Sequence, residues 1–325
     1  MTCRLTIQIV TWNSASVIDE ALVSLKKQSF KAYRLVIIDN GSSDDSVVRA
    51  KRIFPDATYV ENQQNLGFSA AHNQGIRLAE TEYVAIVNPD IVFTQDALGV
   101  LLDRLDRNPK IGSITAKLLK NGVKPAMIDA AGITVHRNRV FHNRGEGEED
   151  HGQYDTPQEV FGSSGAFVVY RQTALESVRI GEEYFDEAFF AYKEDIDIAW
   201  RLRFAGWLNF YEPGATLLHH RSARREHVRA IVRSGRAKSA FLRRISYRNH
   251  LLLLIKNDRY REWFFPLPRV FLYEIGKFIY ILFREPATVM GFFEAIRAIP
   301  LMRKKRKIAM RCRVAAAGLL SRWFV

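Results

Sequence analysis

The first part of the chain alternates short apolar runs with amphipathic segments. "RLTIQIVT", "YRLVIID" and "EYVAIV" are rich in β-branched and other apolar residues, as in strands buried on both faces. Between them, "VIDEALVSLKKQ" and "SVVRAKRIF" repeat their apolar positions at helical spacing. Strands that alternate with helices predict an α/β fold with a mostly parallel central sheet and flanking helices.

The pattern changes beyond this layer. Residues 121–160 contain the Gly- and acid-rich run "NRGEGEEDHGQYD", which predicts a surface loop or hairpin inserted between core strands. "GAFVVY" resumes strand character, "FDEAFFAYKEDIDIAWRLRFAG" predicts a helix that Gly206 ends, and "WLNFYEP" predicts a last strand. We therefore expect one sheet domain over residues 1–222.

Residues 223–325 form a second region of different character. "FLRRISYRNHLLLLIKN" and "RVFLYEIGKFIYILF" are apolar with regularly placed basic residues, and neither holds the roughly 18 uncharged apolar residues that span a bilayer. Such segments are typical of amphipathic helices that lie in the membrane interface. The same pattern fits helices that pack on the domain or form a homodimer interface, and the sequence leaves these alternatives open.

Charge is distributed unevenly between the two regions. Of the formal +13, residues 1–220 hold 23 Lys and Arg against 29 Asp and Glu, while residues 221–325 hold 25 against 6. An anionic membrane surface suits this tail better than nucleic acid, because the cations are interleaved with aliphatic and aromatic runs. "MTCRLTIQIVT" does not read as a signal peptide, and Cys3 and Cys312 show no paired spacing. These features predict a cytoplasmic protein, peripheral on the inner face of the cell membrane.

Candidate chemistry lies where strands end. "TWNSAS" follows the first strand in place of a G-x-G-x-x-G motif, and the chain has no Walker lysine loop. Instead Asp39 ends the second strand and Asp90 follows a later one in "VNPDIVF". Asp90 is either a turn former or a carboxylate ligand for a Mg²⁺ or Mn²⁺ ion that bridges two phosphates.

Two further clusters have an ordinary and a functional interpretation. In "FFAYKEDIDIAWRLRFAG", Asp197 and Arg201 have the four-residue spacing of a surface ion pair on a helix. Glu194 and Asp195 fall in the first helical turn, where the helix dipole keeps carboxylates ionised, and one of them can serve as a general base. His219 in "TLLHHRS" is either an ordinary histidine or a ligand that suits Mn²⁺.

In this order the motifs resemble glycosyltransferase family 2, the inverting nucleotide-sugar enzymes of GT-A fold. The blocks that carry the resemblance are "IVTWNSASVIDEALVSLKKQS", "LVIIDNGSSDDSV", "NLGFSAAHNQGIRLAETEYVAIVNPD", "GAFVVYRQTAL", "FDEAFFAYKEDIDIAWRLRFAGW" and "HH". They cover roughly residues 4–222. The C-terminal "YRNHLLLLIKN" resembles the rhamnosyltransferase-like group of that family.

The resemblance implies roles for particular residues. The nucleotide contacts would be Thr11, Asn13, Asp39, Asn65, Asn73 and Asn88. Asp90 and His219 would bind Mn²⁺ or Mg²⁺, with His220 as the alternative in a shifted alignment. Asp195 would be the catalytic base, with Glu194 as the fallback, and Gly165 and Trp200 would line the acceptor or donor-sugar pocket. Asn88 departs from the family pattern, in which an acid often stands at this position.

The resemblance also implies a reaction. A single sugar, with rhamnose a candidate, would pass from a dTDP- or UDP-linked donor to a lipid-linked or cell-surface glycan, with inversion. Processive synthesis is disfavoured because no spanning helix is predicted and Leu319 stands where a Q-x-x-R-W motif needs glutamine. The alternative is a catalytically inactive protein of the same fold that binds nucleotide sugars or anionic lipid.

Overall fold

The structure, a computed structural model, describes residues 3–94, 96–221, 236–258, 267–314 and 321–324. The strands are β1 Leu5–Thr11, β2 Tyr33–Asp39, β3 Thr58–Glu61, β4 Tyr83–Val87, β5 Ile91–Phe93, β6 Ile111–Lys120, β7 Ile128–Ala130, β8 Ile133–Val135, β9 Phe141–Asn143, β10 Gln158–Glu159, β11 Phe167–Arg171 and β12 Leu208–His219. The helices are α1 Ile18–Lys26, α2 Ser46–Ile53, α3 Phe68–Arg77, α4 Ala97–Arg107, α5 Gln172–Ser177, α6 Glu194–Phe204, α7 Arg236–Asn257, α8 Leu267–Arg284, α9 Pro286–Arg297 and α10 Ile299–Arg311. Short 3-10 helices lie at Glu187–Phe189 and Ser321–Trp323.

Ten of the described strands form one sheet. Its order is β10-β12-β6-β11-β4-β1-β2-β3, with β5 paired to β12 and β7 paired to β6. β3, β2, β1 and β4 are parallel neighbours, and β6 is parallel to β12. Because β11 is antiparallel to both β4 and β6, these two groups run in the same direction. The predicted α/β class with a mostly parallel central sheet is confirmed.

Strand β4 shows how the sheet is covered on both faces. Tyr83, Ala85 and Val87 belong to the apolar cluster that includes side chains of α1 and α4. Val84 and Ile86 belong to the cluster that includes side chains of α3, α5 and α6. Alternate residues of a strand point to opposite faces, so a continuous apolar run such as "YVAIV" fits only a strand covered by helices on both sides.

The segment predicted as a loop over residues 121–160 has more structure than expected. It contains β7, which extends the main sheet beside β6, and β8 and β9, which form a separate two-stranded sheet. These strands are two or three residues long, too short to show a periodic pattern.

The C-terminal helices pack on the sheet domain. Leu252 and Leu253 of α7 and Met302 of α10 share an apolar cluster with Trp200 and Phe204 of α6. Packing on the domain, one of the alternatives left open by the sequence, therefore accounts for one face of these helices. None of the described helices is both long and apolar enough to cross a bilayer. The predicted boundary at 222/223 and Leu319 lie outside the described residues.

The ion pair expected on the surface of α6 is buried. Asp197 and Arg201 are fully enclosed, with 2.9 Å between Oδ2 and Nη2. Asp197 also accepts from Lys256 on α7, at 3.0 Å. The helical spacing was right, but the surface location was wrong because α7 covers this face of α6, which the sequence of α6 alone cannot show.

Candidate functional site

One edge of the sheet collects the polar strand ends. β1, β2, β4 and β12 run in the same direction, so their carboxyl ends meet at that edge. Asp39 ends β2, Asp90 follows β4, and His219 ends β12. β12 pairs with β5, directly after Asp90, and the His220 N–H donates to the Asp90 carbonyl at 3.1 Å. The sheet therefore brings Asp90 and His219 together although they are far apart in the chain.

The side chain of His219 lies between two carboxylates, those of Asp90 and Asp129, and contacts both. Nε2 of His219 lies 3.3 Å from Oδ1 of Asp90, and Nδ1 lies 2.8 Å from Oδ2 of Asp129 on β7. All three are buried. Burial lowers the pKa of His219, but its hydrogen bonds to Asp129 and Asp90 outweigh burial and raise that pKa to about 9. The Asp129 contact fixes the imidazole so that its other nitrogen faces Asp90.

This donor set fits a divalent cation that displaces the Nε2 proton of His219, since a histidine binds metal through its unprotonated nitrogen. A carboxylate and an imidazole converge, and a second carboxylate orients the imidazole from behind, as is usual around metal-binding histidines. The described residues assemble no group of three or more ligating side chains suited to a metal ion. A cation held by Asp90 and His219 would therefore complete its coordination with diphosphate oxygens and water, the arrangement that Mg²⁺ and Mn²⁺ commonly adopt with nucleotides.

His220 faces away from Asp90. Its Nε2 lies 2.7 Å from Oε2 of Glu20 on α1, and it also contacts Asn121. Of the two adjacent histidines, only His219 is directed toward Asp90. The geometry thus favours the first of the two alignments that the sequence allowed.

Turns beyond β1, β2 and β3 place further polar groups. Asp39 accepts from the Ser42 N–H at 3.1 Å, and Asn13, at a φ of 51°, accepts from the Ser43 N–H at 2.8 Å. Asn65 accepts from the Gly67 N–H at 2.8 Å. Each of these side chains shapes a turn at the same edge as Asp90. Asn88 lies on the turn after β4, with its side chain half-buried.

Asp195 lies next to this edge, at the start of α6. Its Oδ2 accepts from the Gly165 N–H at 3.1 Å, and its Oδ1 accepts from the Ile196 N–H at 2.8 Å. Ala166, which follows Gly165, accepts from the Asn88 N–H at 2.9 Å. Two backbone contacts therefore connect the Asp195 carboxylate to the turn that carries Asp90.

Burial changes the ionisation of the two adjacent acids. The pKa of Glu194 is raised to about 8, mainly by burial and secondly by the charge of Asp195. Among the described residues, Oε2 of Glu194 has no hydrogen-bond partner. Burial also raises the pKa of Asp195, opposed by the Gly165 N–H and by Lys193. The expectation that the helix dipole keeps both acids ionised is wrong for Glu194, because desolvation outweighs the dipole.

Three of the predicted contact residues are enclosed and do not line an open cleft. Thr11 is fully buried beneath the edge of the sheet. Asn73 uses its amide to bind the Phe185 backbone, at 2.8 and 2.9 Å, so it ties α3 to a neighbouring loop. Trp200 is 1% exposed, and its ring packs against Phe161 in the second apolar cluster. Apolar packing explains Trp200, because it lies on the face of α6 that Leu252 and Leu253 of α7 cover.

The sequence interpretation missed Asp129. It lies in the segment that was predicted as a surface loop, and β7 is only three residues long. The one local signal was the short run "MIDAAG", in which a single acid interrupts apolar residues. Only the pairing of β7 with β6 shows that this acid faces His219.

Comparison with known proteins identifies the family of the chain. Residues 6–179 match the domain described as glycosyl transferase family 2. An N-acetylglucosaminyl-diphospho-decaprenol L-rhamnosyltransferase of Mycobacterium tuberculosis is 27% identical over 247 residues, which cover 68% of this chain and 78% of that protein. A poly-β-1,6-N-acetyl-D-glucosamine synthase of Staphylococcus aureus is 25% identical over 216 residues, 64% of this chain and 48% of that protein.

Solved structures share the fold at low identity. S. aureus TarS 1-349 in complex with UDP-GlcNAc has a TM-score of 0.57 and 16% identity, and the match covers 95% of this chain and 89% of that one. The mannosyltransferase PcManGT of Pyrobaculum calidifontis, in complex with GDP-Man and Mn²⁺, has a TM-score of 0.54 and 17% identity over 93% of this chain and 76% of that one. The expected GT-A fold is confirmed.

Proposed function

The chain belongs to glycosyl transferase family 2, and on that premise we propose that it transfers a single sugar, with inversion, from a nucleoside-diphosphate sugar to a lipid-linked glycan. The observation that carries the proposal is the proximity of two sites of different chemistry. Asp90 and His219 form a polar pair suited to a cation and its diphosphate, while Asp195, at the start of α6, accepts from the Gly165 N–H of the neighbouring turn. A donor and an acceptor hydroxyl can therefore be held at one edge of the sheet.

In this mechanism Asp195 acts as the general base. Its ionised carboxylate accepts the proton of the acceptor hydroxyl, whose oxygen then bonds to the anomeric carbon of the donor sugar. The bond between that carbon and the nucleoside diphosphate breaks, and a single displacement inverts the configuration. Asp90 and His219 would hold Mn²⁺ or Mg²⁺, which when bound offsets the charge of the departing diphosphate.

The pKa of Glu194 suits a supporting role. A carboxyl group with a pKa of about 8 is protonated at neutral pH, so it adds no second negative charge beside Asp195. Asp195 then remains the group that ionises and takes the proton. The proposed contacts to the nucleotide are Asn13, Asp39, Asn65 and Asn88.

The proposed substrates follow from the relatives. The tuberculosis relative is named for rhamnose transfer to N-acetylglucosaminyl-diphospho-decaprenol, and TarS was solved with UDP-GlcNAc. We therefore propose a dTDP- or UDP-linked donor and a lipid-linked acceptor in cell-wall or polysaccharide synthesis. A cytoplasmic protein at the inner face of the membrane would have access to both.

The outer face of α8 supports a peripheral membrane location. Its Glu274 turns toward the protein and lies 2.7 Å from His250 of α7, whereas Phe271, Leu272 and Phe283 are 61%, 68% and 77% exposed. A helix with its carboxylate inward and its apolar side chains outward fits an apolar environment on that side. Further along the chain, α10 carries the exposed basic residues Arg303, Lys304 and Lys307. Together these features favour a lipid surface with anionic headgroups as the occupant of this face.

A transfer assay tests the proposed function. The protein is incubated with Mn²⁺, dTDP-rhamnose or UDP-GlcNAc, and an undecaprenyl-diphosphate-linked N-acetylglucosamine in vesicles. Mass spectrometry should show the addition of one sugar, and NMR of the product should show an inverted anomeric centre. Retention of configuration, or addition of many sugars, would contradict the mechanism. Nucleotide binding without transfer to any lipid-linked glycan would favour the inactive alternative.

A further inference from the structure

The segment before Glu194 has a backbone that L-residues rarely adopt. Phe190 has φ 64° and ψ −64°, and the Ala191 N–H donates to the Phe189 carbonyl at 2.7 Å, which closes a γ-turn of the strained hand. Tyr192 and Lys193 follow with φ of 71° and 77°. Consecutive non-glycine residues keep this strained backbone conformation only where contacts with neighbouring groups hold it in place.

One side chain of α7 contacts three carbonyl groups of this segment, and Arg248 of the same helix also donates to the first of them, at 3.3 Å. Nδ2 of Asn249 donates to the carbonyls of Phe189, Ala191 and Tyr192, at 2.7, 2.8 and 2.8 Å. Asn249 is fully buried, so water does not replace these contacts. The Asn249 amide has two N–H groups, and the three carbonyl groups that accept from them must all point toward the same Nδ2 atom. These hydrogen bonds hold the backbone in its strained conformation.

The opposite side of the segment is closed by the turn before α3. The Phe190 carbonyl accepts from the Ser69 N–H at 3.2 Å. Gly67 has a φ of 86°, and a Cβ there would lie 2.5 Å from the Phe190 ring and 2.7 Å from its carbonyl oxygen. The segment is therefore clamped between the Asn65–Gly67 turn and α7.

The beginning of the segment is also held by C-terminal helices. Asp186 caps the 3-10 helix by accepting from the Ala188 N–H at 3.0 Å. The same carboxylate pairs with Lys256 of α7 and with Lys305 of α10, each at 2.6 Å. Both ends of the segment thus depend on residues beyond position 235.

These contacts determine where α6 begins. Lys193 is the N-cap of α6, and Asp195 is in its first turn. The Asp195 carboxylate is fixed by two backbone N–H groups, one of which is that of its own neighbour Ile196. A change in the backbone at 190–193 would therefore move the carboxylate relative to the sugar.

We propose that Asn249 is a positioning residue for the transfer reaction, because it holds the strained segment 189–193 and thereby places the Asp195 carboxylate. The inference rests on the proposed function. It gives one residue of α7 an indirect role in catalysis, although α7 lies in the region that the sequence assigns to membrane association. Asn249 does not touch the substrate and acts only through the backbone.

The test compares variants of Asn249 with a control on the same helix. Asn249→Ala removes the amide, and Asn249→Asp keeps the shape but turns a donor into an acceptor that faces three carbonyls. Leu252→Ala is the control, because Leu252 is a buried α7 residue that packs in the second apolar cluster. We expect Asn249→Ala to lower kcat about 10- to 100-fold with the donor KM little changed, since small misplacements of a catalytic group have effects of this size. Leu252→Ala should lower the melting temperature with kcat little changed.

A graded variant keeps the test informative if the alanine protein does not fold. Asn249→Ser retains one hydroxyl donor and should give a kcat between those of the wild type and Asn249→Asp. An unchanged kcat in folded Asn249→Ala or Asn249→Ser would overturn the inference. So would a fall in kcat in Leu252→Ala as large as that in the Asn249 variants.

Hydrogen exchange separates this inference from the proposed function. In the full-length protein, Asn249→Ala should speed amide exchange in a peptide that covers 188–196 but not in peptides from β1 and β4. If wild-type protein transfers no sugar, the proposed function fails, yet faster exchange would still show that Asn249 holds the segment. Unchanged exchange in 188–196 would overturn the inference whatever the activity.

Discussion

The three carboxylates of the site are held in different ways, and this difference separates their chemistry. Asp90 faces the Nε2 of His219, Asp195 receives two backbone N–H groups, and Oε2 of Glu194 has no partner among the described residues. A carboxylate that accepts N–H donors is stabilised in its ionised form, while one buried without them is not. Asp195 is therefore the better base, although Glu194 is its immediate neighbour.

Removal of the base should affect turnover and not donor binding. Asp195→Asn keeps the shape of the side chain but accepts no proton from the acceptor. We expect kcat to fall by about 10²- to 10⁴-fold, the usual contribution of general base catalysis, with little change in the affinity for the nucleotide. Steady-state kinetics with calorimetry on the same protein would measure both. Loss of nucleotide binding in a folded variant would assign Asp195 a structural or metal-binding role instead.

The raised pKa of Glu194 predicts how stability depends on pH. The folded-state pKa is about 8, against an ordinary value of 4.5, so the unfolded chain loses its proton first as pH rises. The contribution of Glu194 to stability is complete below pH 4.5 and is lost as pH approaches 8. Glu194→Gln should therefore gain stability over the wild type between pH 5 and 8, by on the order of 4 kcal/mol.

Urea unfolding of both proteins at several pH values measures this difference. Glu80→Gln is a matched control, because the Glu80 side chain is 88% exposed. The difference between Glu80→Gln and the wild type should not change with pH. Parallel pH profiles for wild type and Glu194→Gln would show that Glu194 is ionised in the folded protein over the whole range.

Residue positions were predictable where a motif and a strand end coincide. Asp90 and His219 follow recognisable apolar runs, so the parallel sheet alone predicts that they share an edge. Asp129 follows no such run, and Thr11, Asn73 and Trp200 carry no local sign that neighbouring elements enclose them. Burial by distant segments is a property of the tertiary structure, so the sequence alone could not show that these residues are enclosed.

At the scale of elements, a buried ion network joins α6, α7 and α10. Lys256 pairs with Asp186 and with Asp197, at 2.6 and 2.9 Å, and Lys305 pairs with Asp186 at 2.6 Å. The two lysines outweigh the effect of burial and hold the pKa of Asp186 below its usual range. Charges that are fully enclosed are tolerated only while paired, so the network makes the position of α7 specific.

Breaking this network should be costly. Lys256→Met retains the length of the side chain but leaves Asp197 and Asp186 with fewer cationic partners in a buried site. We expect a loss of about 3 kcal/mol in the free energy of unfolding, the usual effect of removing one partner of a buried pair. Lys51→Met, which removes a half-exposed pair with Glu61, should cost less than about 1 kcal/mol. Equal effects in denaturant titrations of the two variants would argue that α7 does not pack as described.

Elements with long periodic patterns were predicted well, and short ones were not. β1, β2, β4 and α6 follow continuous apolar or helical runs, and α6 ends near Gly206 as expected, where φ is 84°. Strands β7 to β10 are two or three residues long and depend on tertiary pairing. The amphipathic pattern of α7 indicated a helix but not that its apolar side faces α6, because an apolar face fits a membrane and a protein surface equally.

At the scale of the whole molecule, charge and apolar exposure are concentrated in the C-terminal region. A truncation that removes residues 264–325 would not test membrane binding alone. It would also remove Met302 and Lys305, which are buried against the domain. Substitutions on the exposed face of α8 leave that packing intact. They therefore give the cleaner test of membrane association.

The triple variant Phe271→Glu/Leu272→Glu/Phe283→Glu should lose binding to vesicles of anionic lipid. It replaces exposed apolar side chains with charges that the headgroups repel, and none of the three is buried. Val48→Glu, on the exposed side of α2, is the matched control and should sediment with vesicles as the wild type does. Unchanged co-sedimentation of the triple variant would rule out this face. A triple variant that instead converts a dimer to a monomer would identify the face as the interface of a homodimer.

The central claim is that Asp90 and His219 form a cation-assisted diphosphate site, and calorimetry tests it most directly. Wild-type protein, Asp90→Asn and the exposed control Asp56→Asn are titrated with UDP and with dTDP, each with and without Mn²⁺. The account predicts that one nucleotide binds with dependence on Mn²⁺, that Asp90→Asn abolishes this dependence, and that Asp56→Asn retains it. Nucleotide binding that is equally strong without Mn²⁺ and in Asp90→Asn would contradict it.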